Sequence, residues 1–304
     1  MDNTLIGLSN ELAGIVQNMS QYVVSVRARR HYPSSGLRWG PDVIVTASHT
    51  VQRDEEITVS LADGATVEAS LIGRDPGSDL AVLRVKEGGS FARDRGASDA
   101  VKAGELALVV GRSPNSGVNA SLGIISAASG AWRTWRGGQL DAYVRLDVRL
   151  FPQSSGAAVV NGRGEIIGIA TSALSRIAGL AIPVSTVKRV AEKLIERGFM
   201  PRGYLGIGVQ PVAMTDGLRR QLSVSNQRGL IVLSVEAGGP AEQGGILPGD
   251  IVLGVNDVVT QQIEDLQAFS ESATIGGSAQ IRFMRGGTLK EATVIVTERP
   301  GRRS

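Results

Sequence analysis

Apolar positions in the first half of this chain fall in short runs separated by turn clusters. VIVTA at 43–47, ITVSLA at 57–62, TVEASLI at 66–72, LAVLRV at 80–85, ELALVVG at 105–111, SLGIISA at 121–127 and AYVRLDV at 142–148 all read as strands, and so does YVVSVRA from Tyr22 to Ala28. Two further runs, Ala158–Val160 and Ile166–Ala170, flank Asn161-Gly162-Arg163-Gly164. An Asn-Gly or Asp-Gly pair between apolar runs is a strong hairpin signal, and Asp63-Gly64 supplies another. Many short strands at regular spacing predict an antiparallel sandwich or barrel.

Helical periodicity is confined to a few places. Leu5, Leu8, Leu12, Ile15, Val16 and Met19 recur at helix spacing, with Ser9 or Asn10 as a candidate cap. A second helix is predicted with Ser185 as its cap, Val187, Val190, Ala191, Leu194 and Ile195 on one stripe and Gly198 as its stop. The segment Phe199-Met200-Pro201-Arg202 then breaks the pattern. Beyond it the strands Gly203–Pro211, Gly229–Val235, Ile251–Val255, Gln280–Met284 and Ala292–Thr297, with a helix over Ile263–Ser272, predict a separate α+β unit. The expected organisation is a β domain over 1–199, a linker at 200–202, a second domain over 203–298 and a tail at 299–304.

With 304 residues there is room for two cores, and 39 glycines with only 4% aromatics agree with tight turns and short strands. A net charge of +3 is small for this length and gives no nucleic-acid footprint. Arg27, Arg29, Arg30, His31 and Arg38 read as a solvated strand and loop. Cysteine is absent and only two histidines occur, so disulfides, thiol chemistry and clusters with zinc-ligand spacing are not expected. The first residues, MDNTLIGLSNEL, lack the basic start and apolar run of a signal peptide, and no window reaches the length of a membrane span. The expectation is a cytosolic protein or one from which a targeting segment has been trimmed.

Chemistry gathers around Pro152-Gln153-Ser154-Ser155-Gly156-Ala157, a small-residue loop at the mouth of the predicted hairpin. A serine raised there can meet a substrate, but it needs a base held by a third group. His49 follows one predicted strand and Asp79 precedes another, so the order is His49, Asp79, Ser155. That is the order of chymotrypsin-like proteases and differs from those of subtilisins and α/β-hydrolases. His31 has no such context, and Gly162-Arg163-Gly164 is a hairpin turn rather than a phosphate loop.

Taken with the blocks SSGLRWGPDVIVTASHTV, GSDLAVLRV, LDVRLFPQSSGAAVV and GEIIGIATS, the chain resembles the HtrA/DegP group of trypsin-like serine proteases. Its second unit resembles the group's PDZ domain through RGYLGIGVQ and VEAGGPAEQGGILPGDIVLGVND. The resemblance implies a mostly β protein: a chymotrypsin-like double β-barrel followed by an α+β PDZ domain. It implies an ATP-independent endopeptidase acting on unfolded or exposed polypeptide segments, without metal or cofactor, in a homo-oligomer that is commonly a trimer. The group works mostly in the bacterial envelope.

Carried over by position, Ser155 is the nucleophile and His49 the base and later acid. Asp79 orients the imidazole, and the backbone N–H groups of Gln153 and Ser155 bind the oxyanion. Gln153 stands where the group has glycine. If that position needs positive φ, a side chain costs about 1–2 kcal/mol there. This departure motivates the alternative of a catalytically impaired pseudoprotease acting as a chaperone or peptide-binding scaffold. In the second unit, Tyr204, Leu205, Gly206 and Ile207 match the loop that captures a peptide's C-terminal carboxylate on backbone N–H groups. Leu205, Ile207 and Leu266 are read either as lining a pocket for the last side chain or as ordinary core.

Overall fold

The runs Val43–Ala47 and Ile166–Thr171 are strands buried on both faces, which is why they read as continuous hydrophobic stretches. By contrast, Thr66–Asp75 and Gly117–Ser129 are strands that stay largely half-buried or exposed. The structure, a computed structural model, describes residues 4–86 and 98–298. The tail expected at 299–304 lies outside the described residues. The chain divides into two units, Met1–Met200 and Pro201–Ser304.

In the first unit β1 (Val23–Arg27), β2 (Ser34–Arg38), β3 (Val43–Ala47), β4 (Ile57–Ser60), β5 (Thr66–Asp75) and β6 (Leu80–Val85) close a barrel in the order β1-β2-β3-β6-β5-β4. A second closed barrel takes β7 (Leu106–Ser113), β8 (Gly117–Ser129), β11 (Tyr143–Asp147), β12 (Ala158–Asn161), β13 (Ile166–Thr171) and β14 (Gly179–Pro183), in the order β11-β14-β13-β12-β7-β8. A small hairpin, β9 (Trp132–Arg133) with β10 (Gln139–Leu140), lies between β8 and β11 in the chain. The double-barrel expectation is met.

Strand side chains alternate faces with a period of two. Along β3, Ile44 enters the core of the first barrel while Val43 and Val45 join the large cluster shared between the barrels. β6 does the same with Ala81 and Leu83 on one side and Leu80 and Val82 on the other. In the second barrel Val159 faces inward and Ala158 and Val160 face the shared cluster. Burying each Val, Leu or Ile removes about 1.5–3 kcal/mol of unfavourable water contact, so the seam between barrels is a principal source of cohesion.

Helix α1 (Thr4–Met19) packs Leu12, Ile15, Val16 and Met19 on the shared cluster. Leu5 and Leu8, expected on that stripe, are exposed, and Ser9 and Asn10 lie inside the helix rather than capping it. Helix α2 (Val184–Arg197) docks Val187, Val190, Ala191 and Leu194 on the same cluster and ends at Gly198 in the left-handed conformation. Its expected cap, Ser185, is instead in the first turn. Pro183 is the N-cap, and the Asp99 carboxylate accepts from the Ser185 N–H at 3.0 Å. The proline has no side-chain oxygen to offer, so the acceptor comes from elsewhere in the chain. Strands β2 and β14 were not expected from their Ser-, Gly- and Pro-containing sequences.

The second unit is built on a sheet in the order β16-β17-β18-β20-β21, formed by β16 (Ile207–Ala213), β17 (Arg228–Val235), β18 (Ile251–Val255), β20 (Ser278–Arg285) and β21 (Thr288–Ile295), with β19 (Val258–Val259) on β18. β15 (Gly203–Tyr204) pairs with β22 (Thr297–Glu298). The helices are α3 (Asp216–Leu222), α4 (Pro240–Gln243) and α5 (Ile263–Ser272). Its core joins Leu205, Leu230, Val232, Val252, Ile281, Phe283 and Val294 to Leu266 of α5.

Candidate active site

Strand pairing brings the first two candidate residues together. β3 runs antiparallel to β6 with Ala47 opposite Leu80, so the residues just past one strand and just before the other are neighbours. After Ala47 the chain enters one 3-10 turn, Ser48–Thr50, that carries His49. Asp79, immediately before β6, is fully buried and has φ 59°, a left-handed conformation uncommon for a residue with a side chain. The Ser48 N–H donates to the Asp79 carbonyl at 2.9 Å, and the His49 N–H donates to Asp79 Oδ1 at 2.9 Å. His49 Nδ1 lies 2.8 Å from Asp79 Oδ2 and 3.1 Å from Oδ1. An ionised carboxylate only accepts, so this contact assigns the ring proton to Nδ1 and leaves the Nε2 lone pair available. Thr171 adds a further donor, its hydroxyl 2.5 Å from Asp79 Oδ2.

The turn before Asp79 is itself held. Asp75 accepts from the N–H groups of Gly77 and Ser78 and from the Ser78 hydroxyl. From the β9–β10 hairpin, the buried Thr134 hydroxyl donates to the Gly77 carbonyl at 2.8 Å.

The serine loop has an uneven hydrogen-bond balance. Every carbonyl from 151 to 155 accepts a bond. Phe151 O takes the Ser154 N–H at 2.8 Å, Pro152 O the Arg29 Nη2 at 2.8 Å, and Gln153 O the Ser35 hydroxyl at 2.9 Å. Ser154 O takes the Ala157 N–H at 3.0 Å, and Ser155 O the Ser35 N–H at 3.1 Å. Most N–H groups are engaged too: Phe151 N–H donates to Ser154 Oγ, and Gly156 N–H to Ala170 O. Among the described residues, the N–H groups of Gln153 and Ser155 donate to no protein acceptor. Gly156, at φ 88°, sits so close to β2 that a Cβ there would lie 2.0 Å from Ser35 O. Gln153 is not among the residues with positive φ, which are Glu56, Asp79, Ser223 and Asn256 apart from glycines. The backbone strain expected of a side chain at this position is therefore absent.

The serine hydroxyl is bonded to Ser172 and not to the imidazole. The β12–β13 ladder, in which Ala158 is opposite Ile169, begins with a bulge: the Gly156 N–H donates to Ala170 O and the Ala170 N–H to Ala157 O, so two residues oppose Ala170. Just beyond this bulge the hydroxyls of Ser155 and Ser172 lie 3.2 Å apart. No hydrogen bond joins Ser155 Oγ to His49 Nε2. The two are linked instead along the end of β13, where Ser172 meets Ser155 and the adjacent Thr171 meets Asp79.

Arg29 and Arg38, expected in a solvated basic patch, are built into the fold. Arg38 is 7% exposed, and Arg29 spends its guanidinium on the carbonyls of Tyr32, Pro33 and Pro152. Partial burial lowers the pKa of both. Ser35, Thr171 and Ser172 were not singled out from sequence, because a lone hydroxyl in a strand or loop carries no spacing signal, and Arg29 was read only as one of the solvated basic residues.

In the second unit, Gly206 has φ 75°, the Leu205 carbonyl accepts from Ala241 N–H, and the Gly206 carbonyl accepts from Glu236 N–H, both at 2.9 Å. Leu205 and Leu266 are members of the buried core, and Ile207 is half-buried against it. Tyr204 lies on β15.

Comparison with known proteins gives the same two parts. The family described as "Trypsin-like peptidase domain" matches residues 34–169, a span containing His49, Asp79 and Ser155, and the family described as "PDZ domain" matches residues 203–296. A Brucella suis protein named "Probable periplasmic serine endoprotease DegP-like" is 32% identical over 269 residues, covering 84% of this chain and 50% of that protein. A like-named Rhizobium meliloti protein is 33% identical over 250 residues, covering 80% and 49%. The chain thus spans about half the length of these curated relatives. Among solved structures, "HtrA-type protease AlgW with decapeptide" superposes with TM-score 0.72 at 26% identity, covering 95% of this chain and 98% of that one. A serine endoprotease from Yersinia pestis superposes with TM-score 0.71 at 28% identity, covering 95% and 97%.

Proposed function

Since this chain belongs to the HtrA/DegP family of trypsin-like serine proteases carrying one PDZ domain, we propose that it is an ATP-independent serine endopeptidase that cuts unfolded or exposed polypeptide segments. The observation that carries this reading is the loop in which every carbonyl from 151 to 155 is occupied while the N–H groups of Gln153 and Ser155 are left over. Two spare donors beside a serine form the arrangement an oxyanion requires.

The proposed cycle begins when Ser155 Oγ rotates from Ser172 toward His49, a change about one side-chain torsion. His49 Nε2 takes the hydroxyl proton as Oγ attacks the substrate carbonyl carbon, and the carbonyl oxygen becomes an oxyanion between the N–H groups of Gln153 and Ser155. Asp79 holds the imidazole through Nδ1 and stabilises the imidazolium. The tetrahedral species collapses as His49 returns the proton to the departing amine. Water, deprotonated by the same Nε2, then releases the acyl group. The chemistry calls on no metal or cofactor.

At residues 203–298 we propose capture of a C-terminal peptide, its carboxylate on the backbone of Tyr204, Leu205, Gly206 and Ile207 and its chain added alongside β16. Because Leu205 and Leu266 are committed to the core, the backbone contributes more of this recognition than the pocket side chains. Residues 200–202 are proposed as the linker, and a homo-oligomer, commonly a trimer in this family, as the working assembly. The deciding experiment compares wild type with Ser155→Ala on casein and on a fluorophosphonate probe, with and without a C-terminal apolar peptide. Equal casein turnover by the two proteins in both conditions would sink the endopeptidase reading.

A further inference from the structure

We propose that Arg29 is a positioning residue for the oxyanion site, fixing the plane of the Pro152–Gln153 peptide so that the Gln153 N–H stays free for substrate. The inference rests on the endopeptidase reading and adds a residue that its chemistry would not otherwise require.

The peptide group between Pro152 and Gln153 is planar and trans, since no cis bond occurs among the described residues. In a trans peptide the C=O and N–H point in opposite directions, so whatever holds the Pro152 oxygen also aims the Gln153 N–H. That oxygen is held by Arg29 Nη2 at 2.8 Å. Rotation of this one peptide would exchange the donor for an acceptor, and the oxyanion would then face a carbonyl oxygen.

The preceding proline cannot donate a backbone bond of its own, and the next peptide is held separately by the Ser35 hydroxyl on Gln153 O. Arg29 is therefore the side chain that acts on this plane. It is also rigidly mounted. Its Nε donates to Tyr32 O at 2.6 Å, and Nη2 also reaches Pro33 O at 3.5 Å, so the guanidinium closes the 29–33 loop while reaching 123 residues along the chain to the serine loop. A planar guanidinium serves several carbonyls from one fixed frame, which an ammonium cannot. Because the oxyanion forms only during reaction, the effect falls on turnover and not on substrate affinity.

The test uses the full chain as wild type, Ser155→Ala, Arg29→Met and Arg29→Lys on a chromogenic peptide, with thermal melts alongside. Arg29→Met is expected to lower kcat about 10- to 100-fold with KM held within about twofold, a part of the 10²–10³ attached to outright loss of one oxyanion donor. Free guanidinium added to Arg29→Met should restore part of the rate. A purely structural role would not produce that rescue. Arg29→Lys is expected to fall between; if Arg29→Met does not fold, Arg29→Lys is read by the same criterion. An unchanged kcat in the folded variant of an active enzyme overturns this inference alone. Wild type no faster than Ser155→Ala overturns the endopeptidase reading and this inference with it.

Discussion

The hydroxyls of Ser155 and Ser172 face one another at 3.2 Å, just beyond the bulge at Gly156 that opens the β12–β13 hairpin. In this arrangement the serine is bonded to a neutral neighbour rather than to the imidazole, so the bond to Ser172 competes with productive geometry. A neutral hydrogen bond has a net value of about 0.5–1.5 kcal/mol, equivalent to a factor of roughly 2–12 in population. Ser172→Ala is therefore expected to raise the rate of fluorophosphonate labelling at Ser155 by about 2- to 10-fold, read as second-order labelling kinetics. Unchanged or slower labelling would mean the pairing does not restrain the nucleophile.

Asp79 lies 2.8 Å from His49 Nδ1 and receives the Thr171 hydroxyl as well. In Asp79→Asn an amide can turn its NH₂ to Nδ1, which forces the ring proton onto Nε2 and removes the base. Asparagine also tolerates the left-handed backbone at φ 59°, so folding should survive. The expected result is a fall in kcat of about 10⁴ with little change in Tm. A loss below tenfold would show that the carboxylate does not set the tautomer.

Gly156 combines φ 88° with a Cβ position 2.0 Å from Ser35 O and 2.6 Å from Thr46 Oγ1. For Gly156→Ala the backbone term is about 1–2 kcal/mol and overpacking against β2 adds about 1–3. The close contact is with backbone, which cannot swing aside. The expected destabilisation is therefore about 2–5 kcal/mol with activity lost, measured by urea unfolding and peptide cleavage. A variant as stable as wild type would mean β2 can retreat at little cost.

In the second unit Asp250 is nearly inaccessible and takes two bonds from Arg285, each 2.7 Å, plus the Leu247 N–H at 2.8 Å. Breaking a fully buried pair costs about 3–5 kcal/mol, but the Arg285 side chain is 33% exposed and can be rehydrated. Asp250→Asn is thus expected to cost about 1–3 kcal/mol, seen as a lower melting temperature of this unit. No change in melting would make the pair a surface contact in energetic terms.

Much of the scaffold is written in local pattern. The runs VIVTA and LAVLRV predict β3 and β6 to the residue, and Ile263–Ser272 does the same for α5. The period of two and the helical period are properties of adjacent residues, so neighbours suffice to reveal them. Where a local signal misled, a distant group had taken the role. Asp99, not Ser185, accepts from the first turn of α2, while Ser34–Arg38 and Gly179–Pro183 become strands because barrel closure recruits them.

By itself the sequence determined the kinds of element, the order in which His49, Asp79 and Ser155 occur, and the two-part plan with its family resemblance. Tertiary structure alone decided who touches whom. Thr171 meets Asp79 across 92 positions, Ser35 meets Gln153 across 118, and Arg29 meets Pro152 across 123. Such contacts depend on how two closed barrels register against each other. A hydrogen bond needs placement to a few tenths of an ångström, which side-chain pattern along one strand does not encode. For the same reason the sequence pointed to a serine, and only the fold showed its hydroxyl turned to Ser172 and its loop left with two spare N–H groups.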